Sequence, residues 1–298
     1  MIPVSKNFTE EEKQRAQFYL MDLKSRFLAL DKSKGLENYY LSYSGGKDSH
    51  FLFWFIKNIL KNDSIKIVAC NTTMEHQEIR ERMYKYADEV LIPELKPLEV
   101  KELYGSPCFS KIQDEFIMRY QNGCRSASLM ERVNGKTFLG KDGKMHRSSF
   151  NLNKKAREHL LSGSLHKVSP KCCLYLKKRP FKLYEKETGK KAILGVRAKE
   201  SKLRTAQYKG CLHKTGRFTP LWDLDNDLLD LIYAIYGIEI PKIYEYVDRT
   251  GCMGCPYGAK YGETVKELDL LNTAQRNYTI KLFKESYEVL GIECEEVD

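Results

Sequence analysis

The sequence predicts an α/β fold: a parallel sheet flanked by helices, with a basic insertion and a C-terminal helical segment that follows a pair of closely spaced cysteines. Strand-like and helix-like runs alternate through its first third. Residues 39–43 read as a strand, 50–60 as an apolar helical run, 65–70 as a strand, 75–87 as a helix and 89–92 as a strand. That alternation argues for a parallel sheet. A glycine-rich turn, Ser44-Gly45-Gly46-Lys47-Asp48-Ser49, stands where the first strand meets its helix. In parallel sheets, ligands gather beyond the carboxyl ends of the strands.

The elements follow in order. Thr9 and Glu12 form a capping-box pattern that opens a helix, and Ala16, Leu20, Leu23, Phe27 and Leu30 fall on one face of it until Gly35. After the third strand, turn signals punctuate residues 97–170, with short helices expected around 110–120 and 153–161. Regularity returns with a strand over 192–197, then helices over 226–236 and 264–290. Five segments result: an N-terminal helix (1–36), the first half of a nucleotide-binding core (37–104), a basic insertion (105–170), the second core half with paired cysteines (171–262) and a C-terminal helix (263–298).

The 298 residues carry a net charge of +10. Residues 132–191 hold 17 Lys or Arg against 4 Asp or Glu, so the rest of the chain is slightly acidic. One basic segment suits a polyanion, either nucleic acid or nucleotide phosphates; a lysine-rich solvated surface is the plainer alternative. Residues 1–14 show no signal-like apolar stretch, and the run 51–56 is too short to span a bilayer. The expectation is a cytoplasmic protein without a membrane partner.

The glycine-rich turn reads as a phosphate cradle. Paired glycines let the backbone approach a ligand. The following helix aims unpaired N–H groups and its positive dipole end at the same place. Lys47 adds charge, and Ser44 and Ser49 add hydroxyls. The Walker spacing GxxxxGK[ST] is absent. Asn71 and Thr72, at the end of the second predicted strand, are expected to face the same site.

Nine cysteines with no visible secretory signal point to metal or thiol chemistry rather than disulfides. Cys172 and Cys173 are adjacent, and Cys252 and Cys255 form a CxxC. Adjacent cysteines chelate one ion poorly, but they can serve separate irons of a cluster. The pattern favours a 4Fe-4S cluster over zinc, with a zinc site or four buried thiols left open.

SGGKDS on a strand-to-helix turn resembles the signature of the PP-loop ATPases, which split ATP into AMP and pyrophosphate. The wider pattern over residues 39–257, apart from the basic insertion, resembles the PAPS (phosphoadenosine phosphosulfate) reductase family. It comprises the CC pair, a GVR loop, a tryptophan segment, Ile-Pro and CxxC. The resemblance implies a Rossmann-like adenine nucleotide alpha-hydrolase fold and Cys172, Cys173, Cys252 and Cys255 as cluster ligands. Gly195-Val196-Arg197 with Glu200, Ser201 and Arg204 is similar to the family's GVR-x-x-x-S-x-x-R stretch, which meets the nucleotide's anionic end.

Two departures separate the chain from true reductases. Its loop keeps Lys47 and Asp48, whereas the reductases bind a nucleotide through a degraded loop. Its Glu293-Cys294-Glu295-Glu296 lacks the rest of the ECGLH-like motif, and two following acids would suppress Cys294 as a nucleophile. In look the chain is closer to the iron–sulfur ATP-pyrophosphatase branch of DNA phosphorothioation. The resemblance therefore implies an adenylylating, sulfurtransferase-like enzyme using ATP, Mg2+ and a 4Fe-4S cluster. Lys47, Asp48 and Arg197 would be catalytic. The sulfur donor is unknown, and the basic segment admits a nucleic-acid substrate. The alternatives are an APS or PAPS reductase and a non-catalytic nucleotide- or nucleic-acid-binding protein.

Overall fold

The computed structural model describes residues 7–148, 151–198, 204–205, 209–248 and 250–295. Its elements, in chain order, begin with α1 (Glu10–Lys34), β1 (Tyr39–Tyr43), α2 (Lys47–Phe55), β2 (Lys66–Cys70), α3 (Gln77–Tyr86) and β3 (Glu89–Leu91). Then come α4 (Pro97–Tyr104), α5 (Lys111–Gln121), α6 (Ala127–Asn134), β4 (Thr137–Leu139), β5 (Met145–Arg147) and α7 (Lys154–Ser162). The last are α8 (Lys171–Cys173), α9 (Arg179–Thr188), β6 (Lys191–Ile193), α10 (Asn226–Ile235), α11 (Glu263–Asp269) and α12 (Thr273–Leu290). No helix among the described residues is long and apolar enough to cross a membrane.

The chain divides into two compact units. The first comprises residues 1–93 and 179–250, the second residues 94–178 and 251–298. This division cuts across the segments read from the sequence. Both cysteine pairs fall in the second unit with the basic insertion, although the sequence groups them with the nucleotide core.

The first unit is built on a parallel sheet of order β3-β2-β1-β6. Leu41 pairs with Ile67 on one side and with Ile193 on the other. Side chains alternate along a strand, so β1 feeds two cores. Tyr39, Leu41 and Tyr43 join a cluster with Leu23 and Phe27 of α1, Phe51 and Phe55 of α2, and Ile232 and Tyr233 of α10. Tyr40 turns to the opposite face. There its ring stacks on Phe181 of α9 at 6.0 Å and meets Tyr184 edge-on at 5.0 Å. Fully burying a side chain such as Leu41 or Phe51 contributes about 1.5–3 kcal/mol.

The expected capping box at Thr9 is present, and Gly35 ends α1. α2 starts three residues before the expected position, because Gly46 serves as its N-cap. Its last turn widens over Ile56–Leu60 and stops at Lys61, which is left-handed.

In the second unit, α5, α6 and α7 surround a small core of Ile117, Leu129, Val133, Ala156 and Leu160, joined by Val289 of α12. The single helix expected over 264–290 is two. Asn272 breaks it by capping the N–H of Gln275 and starting a new helix. α4, α6, α9 and the β4–β5 hairpin were not expected. The strand expected over 192–197 ends at Ile193.

Candidate functional site

The glycine-rich turn lies at the carboxyl end of β1. Gly45 has φ +74°, and a Cβ there would sit 2.8 Å from the Ile79 carbonyl oxygen. A side chain is therefore excluded by conformation and by space together. Gly46 has its own neighbour: a Cβ would come 2.9 Å from the Tyr244 hydroxyl. That hydroxyl accepts a hydrogen bond from the Lys47 N–H (2.9 Å), while the Tyr233 hydroxyl donates to the Lys47 carbonyl (2.6 Å). Two tyrosines thus fix the first residue of α2. Within the loop, the Ser44 N–H donates to Ser49 Oγ (3.1 Å), and Ser49 Oγ donates to the Gly46 carbonyl (3.0 Å).

A cleft of about 690 Å³ opens on this turn, within the first unit. Ser44, Gly46, Lys47, Asp48 and Ser49 line one side. Gly195, Arg197 and Arg204 line another, with Asp225, Asn226, Asp227, Tyr244, Asp248 and Thr250. Gly195 belongs there by close approach: its Cβ would be 3.0 Å from the Asp48 backbone carbon. The N-termini of α2 and α10 both contribute residues to the cleft. Asp225 caps α10 by accepting from the Leu228 N–H (2.9 Å).

The charged groups here are held by one another. Arg197 is 9% exposed; its Nε lies 2.8 Å from Asp48 Oδ1 in an ion pair, and its Nη1 donates to Asn226 Oδ1. Asp48 is therefore an anchor for Arg197. The Lys47 ammonium is paired with Asp230 of α10 and lies 5.6 Å over the Tyr233 ring. Near the base of the turn, the Tyr43 hydroxyl lies 3.0 Å from His50 Nδ1. Burial, with Arg82 and Lys85 nearby, lowers the His50 imidazole to about 3.

Of the residues singled out from the sequence, Ser44, Gly46, Lys47, Asp48, Ser49, Gly195, Arg197 and Arg204 line this cleft. Gly45 shapes the turn beneath it. Glu200 and Ser201 lie outside the described residues. Asn71 and Thr72 are not among the lining residues. Their polar groups are spent in a local turn: Asn71 bonds the Tyr84 hydroxyl and the Thr73 N–H, and Thr72 bonds Glu75 through both N–H (3.0 Å) and hydroxyl (2.7 Å). Asp225, Asn226, Asp227, Tyr244, Asp248, Thr250 and the Lys47 partner Asp230 were missed. The Asp225-Asn226-Asp227 run at a helix start was the one local signal for any of them.

The paired cysteines belong to the second unit. Cys172 and Cys173 sit on the single turn α8. Cys252 and Cys255 bracket a tight turn in which the Cys255 N–H donates to the Cys252 carbonyl (3.1 Å). Gly254 has φ +56°, and a Cβ there would meet the Thr279 methyl and the Tyr287 hydroxyl, both at 2.7 Å. Its N–H donates to Glu267 Oε2 (3.0 Å), and the Cys255 carbonyl accepts from the Thr264 hydroxyl (2.8 Å).

Two of the four thiols are raised. Burial raises Cys172, and the charges of Cys252, Cys173 and Cys255 add to it; Lys177 opposes. Cys255 is raised by burial and then by Cys252 and Cys173. Among the described residues no group of three or more His, Cys, Asp or Glu side chains is placed to hold a single metal ion. Thiols are soft ligands of the kind that zinc and iron–sulfur groups both use.

Cys294 is also raised, chiefly by burial rather than by its acidic neighbours. Beneath the CxxC turn, Asp114 accepts from the Cys108 and Phe109 N–H groups (2.7 and 3.0 Å) and from the Tyr257 hydroxyl (2.8 Å). Burial raises its carboxyl to about 6 against those bonds.

No protein-family model matches the sequence, and no curated protein matches it. Solved structures do. A phosphoadenylyl-sulfate (PAPS) reductase from Candida auris, in complex with phosphate, aligns at 12% identity and TM-score 0.43, over 83% of this chain and 97% of that one. An NH3-dependent NAD synthetase from Campylobacter jejuni aligns at 12% identity and TM-score 0.35, over 96% and 99%. An NAD+ synthetase from Burkholderia pseudomallei aligns at 12% identity and TM-score 0.38, over 95% and 93%. All three scores lie below 0.5.

Proposed function

We propose that the chain is an ATP-dependent enzyme of the PAPS reductase-like PP-loop kind, which adenylylates an acceptor oxygen in preparation for sulfur transfer. The carrying observation is the fit of the glycine turn. Gly45 excludes a Cβ, and a Cβ at Gly46 or Gly195 would crowd the Tyr244 hydroxyl (2.9 Å) or the Asp48 backbone (3.0 Å), at the start of α2, where Lys47, Arg197 and Arg204 border one cleft. A backbone brought so close, at a helix N-terminus and among cations, suits a polyphosphate.

In this reading the acceptor oxygen attacks the α-phosphorus of ATP, and pyrophosphate leaves. A sulfide-level sulfur nucleophile then displaces AMP, which departs with the oxygen. Lys47 exchanges Asp230 for a phosphate oxygen. Arg197, held by Asp48 and Asn226, needs no reorganisation to meet developing charge. Mg2+ enters with the polyphosphate, whose oxygens supply ligands; Asp225, Asp227 and Asp248 are candidates for the remainder.

Cys172, Cys173, Cys252 and Cys255 would hold a 4Fe-4S cluster, supported by the CC-plus-CxxC spacing and by both pairs falling in one compact unit. Such a cluster supplies electron transfer or a point of attachment for sulfur. The thiols would lose their protons on loading, because the thiolate is the ligand. A reducing cytoplasmic setting suits such ligands. The acceptor favoured is nucleic acid, on the basic excess of residues 132–191. The reductase alternative needs a nucleophilic cysteine, and the raised Cys294 thiol speaks against it.

Phosphorus NMR of the products formed from ATP and Mg2+ with candidate acceptors tests the reading. AMP and pyrophosphate are expected. ADP and inorganic phosphate would overturn it, and binding without turnover would leave the non-catalytic alternative.

A further inference from the structure

Among the described residues the β4–β5 hairpin joins none of the apolar cores. Its register pairs Thr137 with Arg147, Phe138 with His146 and Leu139 with Met145. Alternation puts Phe138 and His146 on one face and Leu139 and Met145 on the other. The Phe138 and His146 rings lie 5.9 Å apart. Every residue of both strands is exposed, and Phe138, Leu139 and Met145 are 50%, 68% and 65% open to solvent. A two-stranded ribbon is marginal in water without a packed face. This one is secured at its foot instead. The Ser148 N–H and Asn151 Nδ2 both donate to the Lys136 carbonyl, at 3.0 and 2.8 Å, and Arg147 Nη2 donates to the Leu152 carbonyl at 3.1 Å.

Charge says what such a ribbon meets. The hairpin lies in the basic segment, with Lys141 and Lys144 exposed at its turn. Asp142, the one acid there, is turned back onto His146 (2.8 Å) and the Lys144 N–H (3.2 Å). A cationic tip with apolar side chains on both faces fits a partner with two walls and an anionic rim. A membrane or a stacking platform would engage one face.

We propose that the hairpin docks duplex DNA, entering the major groove with Lys141 and Lys144 against the phosphates. That groove is about 12 Å wide and admits a two-stranded β-ribbon, with thymine methyls offering apolar contact. The major groove of duplex RNA is too deep and narrow for it. The inference rests on the nucleic-acid acceptor in the proposed function and on nothing of its ATP chemistry.

The test is fluorescence anisotropy of the full chain with a labelled duplex of about 20 base pairs, without nucleotide, at about 50 and 200 mM salt. Wild type is expected to bind and to weaken with salt. Phe138→Ser with Leu139→Ser should weaken binding about tenfold at both salts, from lost apolar burial. Lys141→Ala with Lys144→Ala should lower the slope of log affinity against log salt by about 2. All four side chains are exposed, so the melting temperature should hold in both variants. If wild type binds and both variants match it, the hairpin is not the surface, though a nucleic-acid acceptor stands. No binding by wild type at low salt overturns hairpin and acceptor together. Tighter binding to single-stranded DNA or duplex RNA overturns the groove docking alone.

Discussion

β1 and β4 show how differently the two units are made. In β1 four of five residues are buried, and the strand feeds a core on each side of the sheet. In β4 all three residues are exposed, and its partner β5 is no better covered. The first unit is held by a shared apolar interior, and its cleft follows from that rigidity. The second is held by caps, a small core and specific polar anchors such as Asp114 and Glu267. A unit of the second kind gains most from a metal group, because binding free energy then counts as folding free energy.

The largest expected effect sharpens this contrast. In protein made anaerobically with iron supplied, about four irons per chain are expected for a full cubane. Cys252→Ala should lose them and loosen the second unit. Cys211→Ala, in the first unit, should keep them. Stoichiometric zinc with no iron would remove the cluster from the account and leave the cleft untouched.

Glycine substitutions come next. Gly45→Ala forces a Cβ against the Ile79 carbonyl at φ +74°. It should cost about 1–3 kcal/mol and weaken ATP binding. Gly254→Ala, at φ +56° against Thr279 and Tyr287, should cost as much but spare ATP binding. Thermal melts with ATP titrations check both, and ATP binding lost equally in the two variants would break the assignment of sites to units.

The same contrast explains what the sequence disclosed. Alternation was readable in residues 39–70 because β1 and β2 are buried on both faces, so their apolar content runs high. The SGGKDS turn was readable because its chemistry is local. Its partners were not: Asp230 stands 183 positions from Lys47, and Tyr244 stands 197 away. At Asn71 and Thr72 a strand end was legible, but not the local turn that engages their polar groups. In the second unit α5 and α7 were legible between turn signals, whereas α4 and α6, eight residues each, carry too few turns for periodicity to stand out from loop. The hairpin gave no alternating signal, because neither face is buried.

A smaller effect sets the units against each other in pH. His50, lowered from 6.5 to about 3, binds a proton more readily when unfolded. Its contribution is present above about 6.5 and is lost as pH falls toward 3. Asp114, raised from 3.8 to about 6, binds its proton more readily when folded. Its contribution is present below 3.8 and is lost as pH rises through about 6. Between about pH 4 and 6 the two oppose. Melting temperatures across that window should rise more steeply with pH in Asp114→Asn than in wild type, and less steeply in His50→Gln. Identical slopes in all three proteins would contradict the burial argument.

In the proposed function the Ser44–Ser49 turn binds the ATP phosphates through Lys47. Calorimetric titration of wild type and Lys47→Ala with ATP and Mg2+ tests it most directly. Lys47 is partly exposed and its partner Asp230 is 45% open to solvent, so the variant should melt close to wild type. The account predicts an ATP affinity about 10- to 100-fold weaker, the loss of one charge-assisted contact. A folded Lys47→Ala protein that binds ATP as tightly as wild type would contradict it.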